Sequence, residues 1–126
     1  MKFLIKTRSF ARLAKKYGIP DDALSAAVRE MEKGLFDANL GGNVYKKRIA
    51  IGNKGKSAGS RTIIATNMDD RWFFLFCYLK KDMANISEDD LEDFKELARI
   101  LLGLSEEQIL CAVAGQKMEA INESKE

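Results

Sequence analysis

Three short stretches of the chain hold the residues best suited to handling phosphate. Lys46-Lys47-Arg48 sets three cations in a row, Lys54, Lys56 and Arg61 stand among the glycines of "GNKGKSAGSRTII" (residues 52–64), and Lys80-Lys81 comes just after Tyr78. No acidic residue occurs from Ala38 to Met68, so the first two stretches have no compensating neighbours in sequence. A solvated surface normally mixes signs, whereas a patch of one sign attracts a polyanion. The asymmetry extends through the chain. Residues 1–61 carry 14 Lys and Arg against 5 Asp and Glu, for +9, and residues 62–126 carry 7 against 14, for −7, beneath a net charge of only +2.

The glycine-rich stretch invites a nucleotide-binding reading, because Gly55-Lys56-Ser57 ends like a P-loop. That pattern needs a glycine at position 50, which is Ala50, and a helix after the serine to hold the phosphate. Arg61-Thr62-Ile63-Ile64-Ala65-Thr66 is β-branched and reads as a strand instead. A loop between two strands accounts for the glycines, and phosphate binding without a nucleotide fold accounts for the cations. The chain has no histidine, which excludes histidine-based triads and the usual zinc sites. Any catalysis must use Lys, Arg, Tyr, Ser, Asp or Glu. Cys77 and Cys111 lack metal-ligand spacing and read as buried free thiols in a reducing compartment. No apolar run approaches the ~20 residues of a membrane span, so a cytoplasmic protein is expected.

The elements that must position these cations follow from periodicity. Phe3-Leu4-Ile5 reads as a first strand, followed by a helix from Ser9 to Tyr17 capped by Thr7 or Ser9 and stopped by Gly18. Pro20-Asp21-Asp22 opens a second helix with Leu24, Ala27, Val28, Met31 and Leu35 on its apolar stripe. Gly41-Gly42-Asn43 is a turn into a strand over residues 44–51, where alternation sets Lys46 and Arg48 on one face and Lys47 on the other. Strands over residues 61–67 and 72–79 complete an antiparallel meander, the last apolar throughout and therefore central. Ser87 and Ser105 then cap two further helices, the first with Leu91, Phe94, Leu97, Ala98 and Leu101 as its stripe and the second fading near Ile121. The order βαα-βββ-αα defines an α+β domain.

Three separated motifs in this order carry a resemblance: Lys46-Lys47-Arg48, Gly55-Lys56-Ser57-Ala58-Gly59-Ser60-Arg61, and Lys80-Lys81-Asp82-Met83-Ala84-Asn85-Ile86, together with "EMEKGLFDANLGG" (residues 30–42). With them the chain resembles the RelE/ParE superfamily of toxins from type II toxin–antitoxin systems, and within it the RelE/HigB-like branch, over about residues 2–104. The resemblance implies a small twisted antiparallel sheet with helices packed on one side. It also implies a metal-free, ribosome-dependent mRNA endoribonuclease without a cofactor, held inactive by a cognate antitoxin of helix-turn-helix type. The ribosome and mRNA would be its other partners, with self-association open and no membrane involved. Residues 1–104 would form the toxin domain and residues 105–126 a C-terminal helical extension.

Cleavage of that kind uses the RNA 2′-hydroxyl as nucleophile. It needs a base for that hydroxyl, cations for the phosphorane charge and an acid for the leaving 5′-oxygen. The catalytic set expected is Lys46, Arg48, Arg61 and Lys80, and the RNA-binding set Lys47, Lys54, Lys56, Tyr78 and Lys81. Arg61 suits charge stabilisation, because a guanidinium grips phosphate with two prongs and stays protonated. Lys46 or Lys80 could be the base, and Tyr78 or the second lysine the acid. Two departures bear on this. Ser60 stands where many relatives have an aromatic residue, and no tyrosine lies near Asn85 or Ile86. Rival readings are a ParE-type poison of DNA gyrase and a nucleic-acid-binding module without toxicity. The last helix, apolar at Ile109, Leu110, Val113, Met118 and Ile121 and acidic elsewhere, would close the core, or else serve the antitoxin and lean over the cationic groove.

Overall fold

Trp72 to Leu79 is apolar on both sides, and it lies where such a strand must lie, inside a sheet covered on both faces. The computed structural model describes residues 1–51 and 59–122. In chain order its elements are β1 (Phe3–Thr7), α1 (Arg8–Tyr17), α2 (Asp21–Glu32), β2 (Ala38–Gly41), β3 (Val44–Ile49), β4 (Ser60–Thr66), β5 (Arg71–Leu79), α3 (Glu88–Leu102), α4 (Glu106–Ala114) and β6 (Met118–Ala120). The strand order in the sheet is β2-β3-β4-β5-β1-β6. The α+β class and the antiparallel meander of β3, β4 and β5 match expectation. β1 lies parallel to β5, with Phe3 opposite Arg71, and β6 closes the far edge antiparallel to β1.

Local chemistry sets most boundaries. The Thr7 hydroxyl accepts the Phe10 N–H at 3.2 Å, so Thr7 rather than Ser9 caps α1, and Gly18 ends that helix at φ 70°. Ser87 accepts from the Asp90 N–H to start α3, and Ser105 with Gln108 forms a reciprocal capping box on α4. Helix α2 stops at Glu32, short of Leu35, which is 56% exposed instead of joining the apolar stripe. A positive-φ Gly34 follows, and the chain turns into β2, a strand that periodicity did not reveal.

The sheet carries two cores. One, with Phe10, Leu24, Val28, Met31, Ile64, Trp72 and Phe74, lies under α1 and α2. The other, with Ile5, Ile63, Phe73, Leu75, Ala98 and Ile109, lies under α3 and α4. The helices are thus divided between the faces, not gathered on one side as expected. The supposed C-terminal extension is part of the core: Ile109, fully buried, and Met118, 7% exposed, join this second core, while Ile121, also 7% exposed, joins the first. What was read as a fading helix is a turn, with Gln116 at φ 60°, and the strand β6. Its end is pinned where the Ile121 N–H meets the Leu4 carbonyl at 2.8 Å and the Asn122 N–H meets Asp21 Oδ2 at 3.0 Å.

Candidate phosphate-binding site

Register decides which cations meet. Arg48 on β3 stands opposite Arg61 on β4, and Arg61 stands opposite Tyr78 on β5. One row further along, Lys46 stands opposite Ile63 and Ile63 opposite Phe76. Residues paired across an antiparallel ladder share a face, here the face that α3 covers, since Phe76 stacks on Phe94 of α3 at 5.6 Å. Tyr78 reaches this face only because of an irregularity. Ile63 pairs with Phe76 and Ile64 with Phe74, so Leu75 is an extra residue that shifts the alternation of β5. Without it, Tyr78 would fall on the side of Trp72 and Phe74.

Two arginines directly opposite each other repel, with side chains rooted only ~5 Å apart. Asp37, just before the acid-free stretch, answers half of this repulsion. Its Oδ1 accepts Arg48 Nε at 2.8 Å and its Oδ2 accepts the Arg48 backbone N–H at 2.6 Å. Arg61 is half-buried and donates from Nη1 to the Gly59 carbonyl at 3.4 Å. Half-buried Lys46 and exposed Lys80 and Lys81 have no carboxylate within ion-pair distance among the described residues. Lys80 follows the end of β5, where Leu79 pairs with Ser60, and so lies at the same end of the sheet as Arg61.

Two expected members leave the set. Lys47 points to the opposite face, 5% exposed, with Nζ on Glu30 Oε1 at 2.7 Å; it ties β3 to α2 and is not available to RNA. Tyr78 is 3% exposed, its ring part of the core, so it offers no platform for a base in this arrangement. Its hydroxyl is buried and has no hydrogen-bond partner among the described residues. Burial pushes its pKa above the ordinary tyrosine value, against the opposing pull of the Arg61 charge. The phenol therefore stays protonated at neutral pH, as a proton donor must. Lys54 and Lys56 lie outside the described residues.

The glycine-rich stretch does not lead into a helix. Ser60 opens a strand, which removes the P-loop reading. Gly59 has its own reason: a Cβ there would sit 2.1 Å from the Ile49 carbonyl oxygen. Ser60 is buried on the α2 side, its Oγ 3.2 Å from Thr62 Oγ1, so an aromatic side chain at this position would not line the Arg61 face. Of the two thiols, Cys77 is buried and its pKa is pushed up to about 12 by burial, whereas Cys111 is exposed, contrary to expectation. Among the described residues no cluster of His, Cys, Asp and Glu forms a metal site, and no helix is long and apolar enough to cross a membrane. Sequence reasoning missed Asp37, whose signal was its position at the border of the acid-free gap.

These features define a class: a small α+β protein with a cluster of cations at one end of its sheet. The family model described as the RelE toxin of the RelE/RelB toxin–antitoxin system matches residues 1–121, and the chain belongs to that family. It is a toxin of a toxin–antitoxin system, with an antitoxin as the partner its family implies. A search of the curated proteins finds no match.

Proposed function

We propose that this toxin is an endoribonuclease that cuts mRNA on the ribosome, in the cytoplasm, and thereby stops translation. The observation that carries the reading is the cross-strand pair Arg48–Arg61, with Lys46 on the same face. A phosphodiester lying across this row is gripped by two guanidinium groups. The 2′-oxygen then attacks the adjacent phosphorus, giving its proton to the neutral amine of a lysine, Lys46 or Lys80. The phosphorus–O5′ bond breaks, the leaving oxygen takes a proton from the acid, and a 2′,3′-cyclic phosphate and a 5′-hydroxyl result. Arg61 and Arg48 stabilise the charge on the non-bridging oxygens, a role in which loss of one oriented donor costs ~10²–10³ in rate. The antitoxin, proposed to be a helix-turn-helix protein, would block this end of the sheet or keep the toxin from the ribosome.

Primer extension on mRNA after brief induction tests the proposal. Discrete cuts within codons are expected from the natural chain, and Arg61→Ala should abolish them and relieve growth arrest while the protein accumulates normally. Intact mRNA with broken chromosomal DNA would replace this reading with gyrase poisoning. Unchanged cutting by Arg61→Ala would remove the arginine pair from the mechanism.

A further inference from the structure

We propose that Asp37 is a positioning residue for Arg48, holding its guanidinium so that the Nη edge is offered to the RNA phosphate; this rests on the endoribonuclease reading above. Asp37 lies just before β2, next to Ala38, which pairs with Lys46. Its backbone N–H donates to the Lys46 carbonyl at 2.9 Å, so its main chain continues the ladder between β2 and β3. The carboxylate then spans two donors of a single residue, the Arg48 N–H at 2.6 Å and Nε at 2.8 Å. This side-on grip fixes the plane of the guanidinium and occupies Nε. Nη1 and Nη2 of Arg48 make no hydrogen bond among the described residues, and the side chain is 45% exposed.

The arrangement has a physical reason. Arg48 and Arg61 are rooted opposite each other on one face, and two free guanidinium groups there would swing apart to relieve repulsion. A long arginine also loses rotamer freedom whenever it is held against a substrate. Asp37 supplies both corrections before RNA arrives: it offsets one positive charge, and it orders the side chain in advance. Preorganised donors contribute most where charge develops in the transition state. Bare neutralisation would not require this geometry, since a carboxylate anywhere nearby would serve; binding the Arg48 backbone and Nε together ties orientation to the strand itself.

The test is a double-mutant cycle with Asp37→Asn, Arg48→Ala and the pair. Cleavage of ribosome-bound mRNA is read as kcat and KM, and affinity is read with a 2′-O-methyl RNA that cannot be cut. Asparagine keeps the size and the backbone N–H contact to Lys46 but loses the charge and one acceptor. Asp37→Asn is expected to lower kcat by between about tenfold and a hundredfold, the scale of a misplaced group. KM should stay the same or fall, because the site becomes more cationic. In the Arg48→Ala background the same change should do nothing further, and an Arg48→Lys background should behave likewise, since lysine has no Nε fork. Equal losses in all backgrounds would overturn the proposal, because Asp37 would then act through the β2–β3 hairpin. Should the natural chain cut no RNA, the cycle is read in affinity for the 2′-O-methyl RNA. Coupling there keeps Asp37 as the positioner of Arg48 and removes only the nuclease reading. Additivity there overturns the proposal.

Discussion

At the scale of single residues, Tyr78 carries an unusual cost. Its buried hydroxyl has no hydrogen-bond partner among the described residues, and a hydroxyl so placed loses its hydration without return, which amounts to ~1–3 kcal/mol. Replacing it with phenylalanine keeps the ring in its core and removes the orphaned group. Tyr78→Phe is therefore expected to raise the urea midpoint of unfolding with an unchanged m-value, a gain of about 1 kcal/mol. If the phenol donates the proton to the leaving oxygen, the same variant should cut mRNA more slowly, so stability and activity would move in opposite directions. A drop in stability would show that the hydroxyl has a partner after all. Lys47 is the contrasting case. Its ammonium is as deeply buried, but the Glu30 carboxylate at 2.7 Å satisfies it, and its contribution is to join β3 to α2.

At the scale of elements, the start of β4 is held by close approach of two backbones. The Gly59 Cα lies so near the end of β3 that any side chain would collide with the Ile49 carbonyl. Since the Ile49–Ser60 pair is the first rung of the ladder that aligns Arg48 with Arg61, parting the strands here would also disturb the site. Gly59→Ala should destabilise the fold by about 1–3 kcal/mol, the scale of an overpacked interior. Thermal denaturation measures this, and a change below a few tenths of a kcal/mol would contradict the packing argument. The bulge at Leu75 is the second such device. One extra residue in β5 turns Phe76 and Tyr78 toward α3, leaving Cys77 on the opposite face. A strand of unbroken alternation would bring a different side chain beside Arg61.

At the scale of the whole molecule, the two ends of the chain close one edge of the sheet together. β1 is central only because β6 covers it, and the tail is fastened by Asp21, which also accepts Lys6 Nζ at 2.7 Å. Truncation after Leu104 would strip out Ile109, Met118 and Ile121, each worth ~1.5–3 kcal/mol of burial. Their sum rivals the ~5–15 kcal/mol that holds a domain folded. The truncated chain is expected to lose cooperative unfolding and its dispersed amide spectrum; a folded, still toxic fragment would contradict this. The same topology separates Glu119 of β6 from the cationic strands. β6 is four ladder steps from β3, ~19 Å at the usual strand spacing. That distance does not favour β6 as a cover over Arg48 and Arg61.

Local sequence was enough wherever a short-range cause decided the outcome. Capping residues such as Thr7, Ser87 and Ser105, the helical stripes, the meander and the opposite faces of Lys46 and Lys47 depend on neighbours within a few positions, and the motifs of the cationic strands carried the family. Tertiary structure alone decided what depends on distant partners. Alternation cannot reveal that Lys47 meets Glu30 from another element, that a bulge turns Tyr78 toward Arg61, or that a three-residue strand near the end finds β1. Asp37 shows the limit most plainly. It read as one acid beyond a helix, and only the pairing of β2 with β3 brings its carboxylate onto Arg48. Hydrogen bonds and ion pairs act over a few ångströms of space whatever the sequence separation, so a partner on another element leaves no mark in local periodicity.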